Sequence, residues 1–106
     1  MIQVIIQTHN QEYKSVISTG HADYSEAGSD IVCSAASILL INTANSIEKF
    51  TDSFLGSDAD DGVVTIVLKD HPGNDAILLI DSMILGLESI QKEYGKNYLM
   101  IDYKEV

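Results

Sequence analysis

Apolar and polar side chains alternate with a period of two near the start of the chain, which is the pattern of half-buried strands. A strand is predicted over Ile2–Thr8, and the polar residues 9–12 suit a hairpin turn. A second strand is predicted over Tyr13–Thr19, after which Gly20 allows the chain to leave the sheet. The first part of the chain is therefore predicted to form a β-hairpin.

A long apolar helix is predicted over Ile31–Phe50, and its first half is apolar on nearly every side. Such a helix is buried on more than one face, so we expect it to be covered by the sheet and by something else. The polar stretch Thr51–Asp61 is interpreted as an exposed acidic turn that attracts a basic peptide. A calcium loop is excluded there, because Val63 replaces the obligatory glycine and Lys69 replaces the bidentate glutamate.

The remaining elements are predicted as a strand, a helix and a strand, over Gly62–Lys69, Ala76–Tyr94 and Asn97–Tyr103. Asn74 or Asp75 is expected to cap the helix, because either side chain can accept from the first free backbone N–H groups. One apolar stripe runs along it, with further leucines beside the stripe. Gly95 is expected to end the helix in a left-handed conformation.

The order ββαβαβ predicts an α+β fold, a two-layer sandwich of a four-stranded, mostly antiparallel sheet and two main helices. The length of 106 residues fits a single domain over residues 1–106. The order of the strands within the sheet does not follow from the sequence.

The chain is strongly acidic, with a formal net charge of −10 from 6 basic and 16 acidic residues. That balance argues against direct binding to nucleic acid, which needs a basic surface. It favours a cationic partner through long-range attraction, or it only keeps the protein soluble. The start of the chain lacks the basic region of a signal peptide, and no uninterrupted apolar run reaches membrane-spanning length. With a single cysteine, these features predict a cytoplasmic protein that does not enter a membrane.

Cys33 and His21 are the candidate catalytic pair, because a cysteine in the first turn of a helix is a nucleophile that an imidazole can activate. Ser29 or Asp30 can cap that helix, whose positive end stabilises the thiolate. The charge of Asp30 opposes the thiolate unless it is used in capping or in holding His21. The alternative is that Cys33 is a small buried hydrophobe.

The loop Ala22–Ser29 joins the two candidates, and its only large apolar residue is Tyr24. With Gly28 it is predicted to be mobile without substrate and to gate access to the thiol; an ordinary connector is the alternative. Beyond the cysteine, Ser34 and Ser37 leave room for a substrate backbone, or they serve close helix packing.

The segment GHADYSEAGSDIVCSAASILL, from Gly20 to Leu40, resembles the signature of the ribosomal-processing cysteine protease family, known as Prp. That signature has Gly-His-Ala, a short loop with Gly-x-Asp, a hydrophobic pair, Cys, small residues and Ser. The matching positions are Gly20, His21, Ala22, Gly28, Asp30, Val32, Cys33, Ala35 and Ser37. Members have about this length, and Ser25 and Ser34 depart from the pattern without removing a reacting group.

The resemblance implies a cysteine peptidase with Cys33 as nucleophile and His21 as base, leaving His71 as the rival base. Family members are dimers that remove a short N-terminal extension from a large-subunit ribosomal protein of the L-twenty-seven family. The implied partners are that basic protein and a second copy of the chain, and no metal or cofactor is expected. The alternative to an enzyme is a binding protein: a non-catalytic dimeric acidic module that binds a basic ribosomal protein.

Overall fold

The computed structural model describes residues 1–20 and 31–106. Within them, the elements follow in the order β1 (Ile2–His9), β2 (Glu12–Thr19), α1 (Ile31–Phe50), β3 (Phe54–Asp60), β4 (Val63–Leu68), α2 (Asn74–Tyr94) and β5 (Leu99–Glu105). The predicted α+β class with two main helices is confirmed. The sheet has five strands, so the predicted count of four is wrong.

The additional strand is β3, which lies inside the stretch predicted as an exposed acidic turn. It pairs antiparallel with β4, and only Asp61 and Gly62 separate the two strands. Gly62 takes the positive φ of 80° that this tight turn requires. The small acidic residues of β3 have weak strand propensity, so its conformation depends on pairing with the β-branched residues of β4.

The strands lie in the order β3-β4-β2-β1-β5. Every neighbouring pair is antiparallel except β1 and β5, so the predicted, mostly antiparallel sheet is confirmed. Ile6 lies opposite Val16, which lies opposite Ile66, and all three side chains are buried. Directly opposed residues share a face, so this face of the sheet forms the floor of the core.

Both helices pack on that face, α1 against β3 and β4 and α2 against β5. The stripe predicted on α2 is confirmed, since its buried residues are Ala76, Ile80, Met83, Ile84, Leu87 and Ile90. The helices approach closely where Gly86 meets Leu39, because a Cβ at position 86 would lie 2.8 Å from Leu39 Cδ1. On the outer side of α1, Ile31, Ile38 and Ile41 are exposed in the single chain, and the additional cover predicted for this helix stays a prediction.

The ends of α2 differ from the prediction. Gly73 is the N-cap, no side chain caps the helix, and Asp75 instead accepts from the adjacent N–H of Ala76 at 2.8 Å. Gly95 does end the helix, with φ 112° and ψ 157°, so it has a positive φ outside the left-handed helical region. The last strand begins at Leu99, two residues after the predicted start at Asn97.

By length and composition alone, α1 could cross a bilayer, with a mean hydropathy of 1.3. Length and composition alone do not identify a membrane span, because the core helix of a globular domain passes the same test. One side of α1 packs on the sheet and on α2, and this packing accounts for the apolar residues of that side.

Candidate active site

Cys33 lies in the first turn of α1, where the sequence predicts it, and its side chain is half-buried. The next residues on the same side of the helix are the small Ala36 and Ser37. Small side chains one turn beyond a nucleophile leave space above the helix surface, so a ligand backbone can approach the thiol.

A cavity of about 230 Å³ adjoins Cys33. It lies between α1, the end of β2 and the β3–β4 turn. Its lining residues are Ile2, Ser18, Gly20, Cys33, Ala36, Ser37, Leu40, Ala59, Asp60, Asp61, Gly62, Val63 and Val64. The cavity is thus an apolar recess with a thiol on one side and an acidic turn on the other.

The two serines proposed to line a substrate pocket are placed differently. Ser37 lines the cavity together with Cys33, because residues four apart share one helix face. Ser34 is exposed and is not a lining residue. Their roles in substrate binding stay predictions.

Gly20 brings the chain to the cavity wall directly before His21. Its N–H donates to the carbonyl oxygen of Gly62 at 3.0 Å. It has φ 92°, and a Cβ there would lie 2.4 Å from the carbonyl oxygen of Met1. Gly20 is therefore held between the start of β1 and the β3–β4 turn, in a conformation and a space that only glycine fits.

Several predicted site residues lie outside the described residues. They are His21, the loop Ala22–Ser29 with Tyr24 and Gly28, and Asp30. Their roles as base, gate and cap or orienting group stay predictions.

The acidic end of the cavity was not predicted as part of the site. Asp60 and Asp61 line it, and neither forms an ion pair within residues 1–20 and 31–106. Ser18 reaches the same cavity from β2, and the residue is 6% exposed. The acidic composition of this stretch was visible in the sequence, but its position beside Cys33 depends on strand pairing.

His71, the rival base, lies at the other end of β2. Its Nδ1 is 2.9 Å from Oε1 of Glu12, the first residue of that strand, and the ring is exposed. The Cys33 cavity contacts β2 at Ser18, six residues further along, or roughly 20 Å at about 3.3 Å per residue. His71 is therefore too far away to deprotonate Cys33 of the same chain.

A second cavity, of about 280 Å³, lies at this distant end of the sheet beside His9, Lys69 and His71. His9 is exposed at the end of β1, and its Nδ1 lies 2.6 Å from the carbonyl oxygen of Val106. In the described part of the chain, no group of three His, Cys, Asp or Glu side chains is placed to hold a metal ion.

The family profile described as cysteine protease Prp matches residues 1–99 of this chain. The chain belongs to this family. The predicted resemblance is confirmed, and this Prp family member is a cysteine protease. That assignment favours the enzyme over the alternative of a non-catalytic module.

Two relatives show how far the similarity extends. The chain is 38% identical over 108 residues to the ribosomal processing cysteine protease Prp of Staphylococcus aureus, covering 98% of this chain and 100% of the relative. It is 30% identical over 104 residues to the protein of the same name from Bacillus subtilis, covering 92% and 93%.

Solved structures of Prp from S. aureus share the fold. One, in complex with a covalently linked product peptide, has a TM-score of 0.88 and 34% identity, covering 98% of this chain and 100% of that one. Another, in complex with a substrate peptide, has a TM-score of 0.84 and 33% identity, with the same coverage. The similarity thus extends over the elements that form the Cys33 cavity.

Proposed function

We propose that this Prp family member removes a short N-terminal extension from a large-subunit ribosomal protein of the L-twenty-seven family, and that it acts in the cytoplasm. The observation that carries the proposal is the half-buried Cys33 thiol at the wall of a cavity, in a chain similar over nearly its full length to ribosomal processing proteases. The net charge of −10 suits a strongly basic substrate.

In the proposed reaction, the Cys33 thiolate attacks the carbonyl carbon of the scissile peptide bond. The C–N bond breaks, the departing amine takes a proton from protonated His21, and a thioester remains on the sulfur. The neutral His21 then takes a proton from water, which attacks the thioester; the C–S bond breaks and releases the carboxylic acid product and the Cys33 thiolate beside the protonated His21. The covalently linked product peptide of the S. aureus relative is consistent with nucleophilic catalysis in that protein.

His21 is the proposed base because the chain leads directly to it from the cavity wall. Gly20, the preceding residue, lines the cavity that Cys33 also lines, whereas His71 is bound to Glu12 at the far end of β2. Asp30 is proposed to cap α1 or to orient His21.

The loop Ala22–Ser29 is proposed to close over a bound peptide. Gly20 precedes residues 21–30 in the sequence and the first turn of α1, with Cys33, follows them, and both Gly20 and Cys33 line the cavity. Hydrogen exchange across the loop is expected to slow when a non-cleavable substrate peptide binds. Equal protection of the loop with and without peptide would contradict gating, but it would not affect the assignment of Cys33 and His21 as the catalytic pair.

The decisive experiment for the substrate uses a ribosomal protein that carries its native N-terminal extension. The wild-type protein is expected to release one N-terminal peptide, which mass spectrometry identifies. Cys33→Ala is expected to abolish cleavage without changing the circular dichroism spectrum, because the half-buried thiol is replaced by a smaller side chain that helices favour. His71→Ala is the matched control and should cleave like the wild type. Near-normal cleavage by Cys33→Ala would exclude Cys33 as the nucleophile.

We also infer that the protein is a homodimer that pairs through the outer surface of its helices. Ile38 of α1 and Leu85 of α2 are 68% and 66% exposed. They directly precede Leu39 and Gly86, the two residues at which the helices meet. An apolar patch across a helix pair is typical of a protein interface, and a second copy is the proposed cover.

A further inference from the structure

Strand β3 forms one edge of the sheet and ends beside the nucleophile. It is the first strand in the order β3-β4-β2-β1-β5, so within the described residues only β4 pairs with it. Ala59 and Asp60, at its end, line the Cys33 cavity. An edge strand exposes a row of backbone donors and acceptors to which another strand can bind.

The register of the hairpin identifies which backbone groups face outward. The turn has two residues, so Asp60 and Val63 are a directly hydrogen-bonded pair. Such pairs alternate with non-hydrogen-bonded pairs along an antiparallel ladder. The backbone N–H and C=O groups of Ser57 and Ala59 therefore point away from β4, towards the open edge.

The side chains of the same two residues face the helices. Ser57 lies opposite the buried Ile66, and Ala59 lies opposite Val64, which lines the Cys33 cavity. A peptide that pairs with this edge continues the pleat, so every second side chain points to the side of the sheet where the thiol lies.

We propose that the free edge of β3 docks the substrate as an added strand, which carries its scissile bond to Cys33. This inference rests on the proposed function, because it says how the N-terminal extension or the residues after it are bound. In strand addition, main-chain hydrogen bonds supply affinity and pockets for alternate side chains supply specificity. The Cys33 cavity adjoins the end of this edge, since Ala59 and Asp60 line it.

The charges along β3 match a basic peptide. Asp58 and Asp60 lie on the strand and Asp61 follows it, and all three are exposed. None forms an ion pair within the described residues. The other edge strand, β5, supplies no residue to the lining of the Cys33 cavity, whereas β3 supplies Ala59 and Asp60.

The first test leaves the protein unchanged and alters the substrate. Each backbone amide of a cleavable peptide is methylated in turn, which removes one hydrogen-bond donor. Docking on β3 predicts that KM rises roughly 3–10-fold at every second amide and changes little at the amides between. An effect without this alternation would overturn the proposal.

The second test alters the edge. Ala59→Pro removes the outward N–H and leaves the pairing with β4 intact, since proline is tolerated at an outward-facing position of an edge strand. Its KM is expected to rise several-fold with kcat less affected, and Ala59→Ser, which keeps the N–H, is expected to raise KM less than Ala59→Pro does. Unchanged KM in a folded Ala59→Pro variant would overturn the docking strand.

The third test concerns charge. Asp58→Asn is expected to raise KM about 2–3-fold and to weaken its dependence on salt, because an exposed carboxylate acts through screened attraction. Glu93→Gln, at an exposed position of α2, is the matched control and should leave both unchanged. Equal effects of the two substitutions would show that only net charge matters, against docking on β3.

A final measurement separates this inference from the proposed function. Hydrogen exchange at the amides of Ser57 and Ala59 is followed in Cys33→Ala with and without the unmodified peptide. Slower exchange at these amides supports the docking strand even if the wild type fails to cleave the peptide, which would contradict only the proposed substrate. Unchanged exchange overturns the docking strand, whether or not the peptide is cleaved.

Discussion

The two ends of the sheet carry different kinds of side chain. Cys33 and Ser37 lie one turn apart on the side of α1 that faces the β3–β4 turn, so the thiol and the acidic residues border one cavity. At the opposite end of β2, His71 contacts Glu12, and Lys14 Nζ lies 2.9 Å from Asp70 Oδ1. The Lys14 ammonium lowers the pKa of Asp70 through its hydrogen bond and its charge. These pairs are exposed and contribute little to stability.

The assignment of the base is tested by replacing each histidine. His21→Ala is expected to lower the cleavage rate about 10²–10⁴-fold, the usual contribution of a general base. His71→Ala is expected to do little, because its ring lies at the far end of β2. Single-turnover cleavage distinguishes the two variants. A larger loss from His71→Ala would make the assignment wrong and would point to a base supplied by a second copy.

A pH dependence is predicted for Tyr13, whose hydroxyl donates to Asp81 Oδ1. Burial, and then the hydrogen bond and charge of Asp81, raise the pKa of Tyr13 above its ordinary value of 10.0. The unfolded chain loses this proton first, so the stabilisation is complete below about pH 10 and declines as the pH rises beyond it. Denaturant unfolding at increasing alkaline pH should therefore show a smaller loss of stability in Tyr13→Phe than in the wild type. An identical decline of stability in both proteins would show that Tyr13 is not the source of this pH dependence.

Among the secondary-structure elements, the two hairpins determine where the site lies. The β3–β4 turn contacts the end of β2 through the bond from Gly20 to Gly62, so both hairpins meet at the mouth of the cavity. The first turn of α1 faces this junction and supplies the nucleophile. Regular elements with short connections hold the described part of the site.

Gly20→Ala is expected to destabilise the protein. The positive φ of 92° alone costs about 1–2 kcal/mol for a residue with a Cβ, and the contact of 2.4 Å with the Met1 carbonyl oxygen adds to it. Gly56→Ala is the matched control, since no atom beyond its two neighbours in the chain lies within 4 Å of the added Cβ. Denaturant unfolding compares the two. Equal stabilities would show that the chain relaxes around position 20 at no cost.

At the scale of the whole molecule, the helices cover one face of the sheet and leave their own outer surface apolar in part. Ile31 and Ile38 on α1 and Leu78 and Leu85 on α2 are all more than half exposed. Repeats of seven residues place each pair on one side of its helix. The surface is suited to a second copy, while the β3 edge at the side of the sheet stays accessible to a substrate.

The proposed dimer is tested by adding a charge to that surface. Leu85→Glu is expected to convert a dimer into a folded monomer, because a carboxylate buried in an apolar interface loses its hydration. Leu55→Glu, at a similarly exposed leucine of β3, should leave the mass unchanged. Light scattering at micromolar concentration measures both. A monomeric wild type would exclude the dimer, and a dimeric Leu85→Glu would exclude this surface.

The sequence by itself determined the elements whose residues carry a strong period. Alternation revealed β1 and β2, the apolar stripe identified the buried face of α2, and the segment around Cys33 identified the family. These signals are local, because each depends on residues that lie close together in the chain.

Only the tertiary structure decided what surrounds the thiol. β3 carries no strong local signal, because its small and acidic residues become a strand by pairing with β4. The order of the strands brings Ser18, Gly20 and Asp60 to one cavity. The same order places His71 about a strand length from that cavity. Contacts between residues distant in the chain depend on how the strands pair, and a single sequence does not record that pairing.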